Sequence, residues 1–128
     1  MTRTLRHRLS NEERGFTLIE LLVVIIILGI LLAIAIPSYL TFRGRANKSA
    51  AQANVRAAVP GMEAYNADHA TGYAGVNLAK LRASYDAGIK NVTIRAATQG
   101  GYCVENTVPG TVTYHKSGPS GDIVSGSC

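Results

Sequence analysis

The longest apolar stretch of the chain covers residues 16–36, and only Thr17 and Glu20 interrupt it with polar side chains. A helix of about 20 apolar residues is long enough to cross the hydrocarbon core of a bilayer. The pattern therefore predicts a membrane-spanning helix over residues 16–40. Glu20 needs an explanation, because a carboxylate in such a span costs roughly 2.5–3.5 kcal/mol, less near the helix end where it can reach the interface, and calls for a cationic partner.

Two residues predict an interruption of this helix. Gly29 weakens a helix by about 1 kcal/mol relative to Ala, and Pro37 removes the hydrogen bond to the carbonyl of Ala33. The helix should kink or melt there. The pattern leaves open a plain transmembrane kink, since Gly and Pro are common in membrane helices.

Basic residues flank the apolar stretch on both sides. Residues 1–15 hold four arginines against two glutamates, and this basic cluster favours a cytoplasmic amino terminus by the positive-inside rule. On the other side, Tyr39 and Phe42 stand with Arg43 and Arg45, which is typical of a membrane–water boundary. We expect that boundary to be the outer one.

From residue 46 the apolar positions recur at spacings of three and four, which predicts an amphipathic helix that continues to about Asp68. Pro60 predicts a bend near residues 56–60. The apolar stripe is narrow and rich in Ala, so we expect a sheet of the same chain to pack closely against it. The stripe consists of Ala51, Val55, Ala58, Met62 and Tyr65.

The rest of the chain predicts short elements joined by turns. Residues 68–75 are turn formers that end the long helix, and Asn77 is positioned to cap a short helix that ends by Gly88. Alternation of apolar and polar residues predicts strands over residues 90–97, 102–107, 111–116 and 123–124. The fold class is therefore α+β, with a helix that is half transmembrane and half amphipathic, packed on a small antiparallel sheet.

The length and the net charge limit the number of domains and the kinds of partner that fit this pattern. The 128 residues suit one small domain and a long helix. The formal net charge is +5, and the first 15 residues account for +2 of it, which leaves +3 on the remainder. A net charge of that size indicates ordinary solubility rather than a dedicated nucleic-acid surface.

Both cysteines, Cys103 and Cys128, follow the apolar stretch and so lie on its outer side. An even number of cysteines in an exported segment predicts a disulfide bond. Closing a loop of this length should stabilise the fold by about 3 kcal/mol.

The sequence gives no sign of catalysis. His7, His69 and His115 are far apart, and no cysteine or carboxylate stands near them at the spacing of metal ligands. Asp122 alone cannot hold calcium. Phosphate loops and nucleophile motifs are also missing from the sequence. We therefore expect no catalytic residue, no metal and no cofactor, and a protein that is not an enzyme.

The residues Gly-Phe-Thr-Leu-Ile-Glu-Leu-Leu at positions 15–22, followed by the apolar stretch, resemble the class III signal of type IV prepilins. The resemblance implies a leader over residues 1–15 that a prepilin peptidase cuts between Gly15 and Phe16. The same enzyme would methylate the new amine of Phe16. It also implies a globular pilin head over residues 41–128.

The resemblance further implies a role for Glu20. In the family this carboxylate pairs with the terminal amine of a neighbouring subunit, here that of Phe16, and so sets the register of a helical homopolymer. In similar filaments the segment that corresponds to residues 29–37 can unwind on assembly, and the resemblance implies the same here. The subunit would wait in the cytoplasmic membrane, and a platform protein and an ATPase would move it into an extracellular pilus. Adhesion, motility or DNA uptake would follow from the fibre, through DNA or a host surface.

Two alternatives remain open. A pseudopilin of a type II secretion or competence system shares the first third of the chain, and the cysteine pair with the lone Asp122 favours a pilin over it. A single-span anchored binding domain or enzyme would explain the helix. It would not explain the Gly15-Phe16 pair or Glu20.

Overall fold

The computed structural model describes residues 15–108, 110 and 112–128, so the predicted leader up to residue 14, with His7, lies outside the described residues. The chain divides into two compact units, with the boundary between Ser38 and Tyr39. The elements are α1 (Leu18–Asp68), α2 (Leu78–Ser84), β1 (Val92–Ala97), β2 (Tyr102–Asn106), β3 (Tyr114–Gly118) and β4 (Ile123–Ser125).

The described part of the first unit, residues 15–38, contains the amino-terminal half of α1. Its large apolar side chains are all solvent-exposed, from 46% for Leu22 to 83% for Leu18. Among the described residues, α1 is the one helix long and apolar enough to cross a membrane by length and composition.

The helix α1 continues without a break in secondary structure through the positions where the sequence predicts an interruption. Gly29 and Pro37 both lie inside α1, and so does Pro60, where a bend was expected. A Pro costs about 3 kcal/mol inside a helix, and the long apolar and amphipathic patterns on either side continue the helix through each position. Unwinding of the segment on assembly stays a prediction.

The second unit, residues 39–128, is called the head below. Its four strands form one antiparallel sheet in the order β1-β2-β3-β4, so each strand pairs with its neighbour in sequence. With α1 packed on one face of this sheet, the head has the α+β architecture that the sequence predicts.

One strand differs from its prediction. The third strand was expected over residues 111–116, but β3 covers Tyr114–Gly118. The register pairs Tyr102 with Gly118 and Glu105 with His115. The same register brings Tyr114, the first residue of β3, opposite Asn106, the last residue of β2, so β3 begins where β2 ends.

The predicted stripe of α1 is confirmed as the core face of the head. All five of its residues are buried, and four of them belong to the main apolar cluster, together with Val92, Tyr102 and Val104 from the sheet. Gly61 lies beside this stripe, and a Cβ added there would lie 3.0 Å from Cδ1 of Ile89. The absence of a side chain at Gly61 thus permits the close packing that the small residues predicted.

The short helix is capped as predicted. The side-chain oxygen of Asn77 accepts a hydrogen bond from the backbone amide of Lys80, 2.9 Å away. This satisfies one of the amides that a helix start leaves without a partner. α2 ends at Ser84, four residues before the predicted end at Gly88, and it places Leu81 in the core.

Candidate functional site

The residues of the predicted cleavage site precede α1 in a short non-helical segment. Gly15 and Phe16 are both exposed, and Phe16 keeps 79% of its surface accessible. A Cβ added at Gly15 would meet no atom within 4 Å. The peptide bond between the two residues therefore lies outside any helix, as a protease requires, and its cleavage stays a prediction.

Thr17 caps α1, a role that the sequence analysis missed. Its side-chain oxygen and its carbonyl oxygen both accept from the backbone amide of Glu20, at 3.3 and 3.1 Å. A Thr followed three residues later by Glu is the capping-box pattern of a helix start. The signal was present in the sequence as Thr17-Leu18-Ile19-Glu20.

Glu20 therefore occupies the first turn of α1. A carboxylate at this position interacts favourably with the positive end of the helix dipole, by about 0.3–1 kcal/mol. Within the described residues, 15–108, 110 and 112–128, no basic side chain lies within 4 Å of its carboxylate. The cap thus fixes the backbone turn that carries Glu20, and the described residues supply no cationic side chain within 4 Å to neutralise its charge.

At the other end of the chain, a disulfide bond joins Cys103 on β2 to Cys128, as predicted. The two Cα atoms lie 6.0 Å apart. The bond fastens the segment after β4 to the second strand, and this brings the backbone of Cys128 against the sheet.

A buried carboxylate lies beside the disulfide, and the sequence analysis did not identify it. Glu105 on β2 is only 4% exposed, and it accepts hydrogen bonds from the amide of Cys128 at 2.9 Å and from Nε of Arg95. The Cys128 amide and then the Arg95 side chain hold the pKa of Glu105 below its usual range. The disulfide-bonded tail thus supplies one of the donors that this carboxylate needs.

A second polar cluster joins α1 to the loop and the sheet. Glu63 accepts hydrogen bonds from the hydroxyl of Tyr73, at 2.7 Å, and from that of Tyr102, at 3.3 Å. Burial and the neighbouring Glu63 raise the pKa of Tyr73 to about 12 and also raise that of Tyr102. These contacts stabilise the position of the helix on the sheet.

The two histidines of the head, His69 and His115, each contact another residue of the head. The ring of His69 stacks on Tyr65, with centroids 3.9 Å apart, and His115 hydrogen-bonds through Nδ1 to the carbonyl of Gly126. Across the described ranges, no three His, Cys, Asp or Glu side chains are grouped so that they could hold a metal ion.

Comparison with known proteins adds one family model and several relatives. Residues 10–36 match the model of the prokaryotic N-terminal methylation motif. The chain is 39% identical over 96 residues to the type IV wide pilus major component PilA4 of Thermus thermophilus, a match that covers 73% of this chain and 72% of that protein.

Two further relatives match over shorter stretches. The type IV major pilin protein PilA of Myxococcus xanthus is 50% identical over 50 residues, 39% of this chain and 23% of that protein. The type II secretion system core protein G of Escherichia coli is 32% identical over 62 residues, 48% of this chain and 43% of that protein. The chain thus matches less than half the length of each of these two relatives.

Proposed function

This chain belongs to the superfamily of type IV pilins and type II secretion pseudopilins, and we propose that it is a structural subunit of a type IV pilus. The observation that carries the choice is the extent of the Thermus match. A match over 73% of the chain is longer than the first 68 residues, so it extends past α1 into the rest of the head. A match over 48%, as with the secretion protein, is short enough to lie within those 68 residues.

In this proposal the apolar half of α1 forms the filament core. Its exposed Leu, Ile and Val side chains have nothing to pack against within the described chain. Once the helix has left the membrane, burying each of them against other copies rather than exposing it to water would contribute about 1.5–3 kcal/mol. Parallel copies of the helix would therefore bundle along the fibre axis, with the heads at the surface. The role is structural rather than enzymatic.

Glu20 would set the register of the copies. After cleavage the amine of Phe16 is a free cation, four residues before Glu20 in sequence. A charge left unpaired in an apolar bundle is strongly destabilising, by about 3–5 kcal/mol. The stagger that brings the Glu20 carboxylate of one copy to the Phe16 amine of the next is therefore favoured over its alternatives. The Thr17 cap supports this role, because it fixes the helical turn that carries Glu20.

Processing and location follow from the same premise. A prepilin peptidase would remove residues 1–15 and methylate Phe16. Before assembly the subunit would span the cytoplasmic membrane once, with its amino terminus inside, and a platform protein and an ATPase would then add it to an extracellular fibre. Adhesion, motility or DNA uptake would be functions of that fibre.

A second candidate is a pseudopilin of a secretion system, and the match to core protein G favours it. That match is 32% identical over 62 residues, and its relative carries the name of a secretion component. The same pairing of Glu20 with the Phe16 amine would operate in a short pseudopilus. The two candidates therefore differ in how far the polymer extends rather than in how it forms.

The test is electron microscopy of cells with and without the gene, followed by peptide mass analysis of purified fibres. Surface fibres should disappear on deletion, return with the wild-type gene, and contain a chain that begins at a methylated Phe16. Unchanged fibres together with lost protein secretion would favour the pseudopilin. Fibres whose subunit begins at another residue would contradict the proposed processing.

A further inference from the structure

The apolar part of α1, residues 18–36, is called the apolar run below. The segment of α1 that follows it carries a cluster of cations without neighbouring acids. Arg43, Arg45 and Lys48 stand within six residues, and all three are exposed. Between Glu20 and Glu63 the sequence contains no Asp or Glu. In the described part of the chain, the one ion pair within 4 Å joins Arg95 and Glu105. These cations therefore have no intramolecular carboxylate as a counter-ion.

The segment also precedes the part of the helix that the head covers. The first buried residue of α1 is Ala51, and residues 39–50 are exposed on all sides apart from the half-buried Asn47. The segment also presents two aromatic side chains, Tyr39 at 62% and Phe42 at 72% exposure. We call residues 39–48 the collar.

The cations of the collar spread over an arc of about 200° around the helix instead of forming a narrow stripe. At about 100° per residue, Arg43, Lys48 and Arg45 project about 40°, 180° and 240° around the axis from Tyr39. A folded protein partner would approach one side of a helix and leave the other cations in water. A ring of lipid headgroups contacts every side at once.

The spacing along the axis agrees with a headgroup layer. Aromatic residues such as Tyr39 mark the membrane interface, and the headgroup layer on each side of a bilayer is roughly 5–7 Å thick. At 1.5 Å per residue, Arg43 lies about 6 Å beyond Tyr39, and Lys48 about 13.5 Å beyond it. Lys and Arg side chains bend back toward the interface, so all three charges fall within about a Debye length, 8 Å, of the phosphates.

We propose that the collar binds anionic phospholipid headgroups while the subunit waits in the membrane. Each cation near an anionic surface strengthens binding by about fivefold. Three of them would concentrate anionic lipid around the emerging helix, and this contact would have to be released when the subunit is extracted. The inference rests on the membrane-bound stage of the proposed function.

The experiment places the full-length chain in nanodiscs of equal parts phosphatidylglycerol and phosphatidylcholine, and counts the lipids that remain bound in native mass spectrometry. Three proteins are compared: wild type, R43Q/R45Q/K48Q and R56Q/R82Q/K90Q. The last variant removes three exposed cations from elsewhere in the head and matches the charge loss. Basic residues of the leader contribute equally to all three proteins.

We expect the ratio of bound phosphatidylglycerol to phosphatidylcholine to fall by about threefold or more in the collar variant. The control variant should match wild type. An equal fall in both variants would mean that net charge alone attracts the lipid, and an unchanged ratio in the collar variant would mean that the collar binds none. Either result overturns the proposal.

A fibre-assembly assay of the same variants tests the remaining explanation, which is that the collar cations form contacts between copies. A collar variant with wild-type lipid selectivity but without fibres would assign these cations to contacts between copies, and would overturn the lipid site. Because the lipid ratio is measured on unassembled subunits, the result does not depend on whether the gene is needed for fibres. Failure of the pilus proposal is therefore distinguishable from failure of this one.

Discussion

The two halves of α1 have the same backbone conformation and opposite surroundings. In the apolar run, residues 18–36, every large side chain is about half exposed or more, from 46% upward. In the head, the core residues of the same helix are at most 4% exposed, because the sheet and α2 cover them. The head thus completes its own core, whereas the described chain leaves the apolar run exposed. In the proposed function a membrane or other copies bury it.

Truncating one leucine in the head and one in the apolar run should give the largest difference in the free energy of unfolding of the head. Leu81 is fully buried in the head, and Leu31 in the apolar run is 58% exposed. Leu81→Ala should lower the free energy of unfolding of the head by about 2–5 kcal/mol, since it removes packed atoms and leaves a cavity. Leu31→Ala should leave it unchanged. Urea unfolding in detergent, followed by near-ultraviolet circular dichroism, measures both, and equal losses would break the comparison.

The disulfide should have the next largest effect, and only on the head. The bond closes a loop with a sequence separation of 25 residues. Replacing both cysteines, as C103S/C128S, should destabilise the head by about 3 kcal/mol. Insertion of the helix into membranes should not change. A variant with wild-type unfolding behaviour would show that the tail is held without the bond.

Acid titration of Glu105 gives the smallest effect. Its pKa is lowered in the folded head, so its contribution is present above the unfolded pKa of about 4.3 and is lost as pH falls through the folded pKa. Glu105→Gln should cost about 1–2 kcal/mol at pH 7, and the difference from wild type should shrink below about pH 4. Asp122→Asn, at an exposed carboxylate, is the control. A difference that stays constant with pH would contradict this explanation.

Most of the fold was predictable because its signals are local. The apolar run, the spacing of Ala51, Val55 and Ala58, and the Asn77 cap each follow from neighbouring residues. The limits of β3 were not predictable in the same way, because they depend on where β2 ends. A strand lasts only as long as its partner continues beside it.

The polar clusters were missed for a related physical reason. The acceptor role of Glu63 depends on tyrosines 10 and 39 residues further along the chain, and that of Glu105 on the folded-back Cys128 amide. Periodicity within an element contains no information on such contacts. Thr17 is different, because its pattern with Glu20 is local and was legible in the sequence.

Glu20 links the two halves of the comparison, because the dependence of the apolar run on other copies is proposed to act through its charge. The decisive measurement is the yield of fibres from cells that carry Glu20→Gln. Gln has nearly the same shape and also fits the capping-box position, so the helix start should be preserved while the charge is lost. The account predicts normal leader removal, an unchanged head melting temperature, and at least a tenfold loss of fibres, since the Phe16 amine would be left unpaired. Fibres at wild-type yield would contradict it.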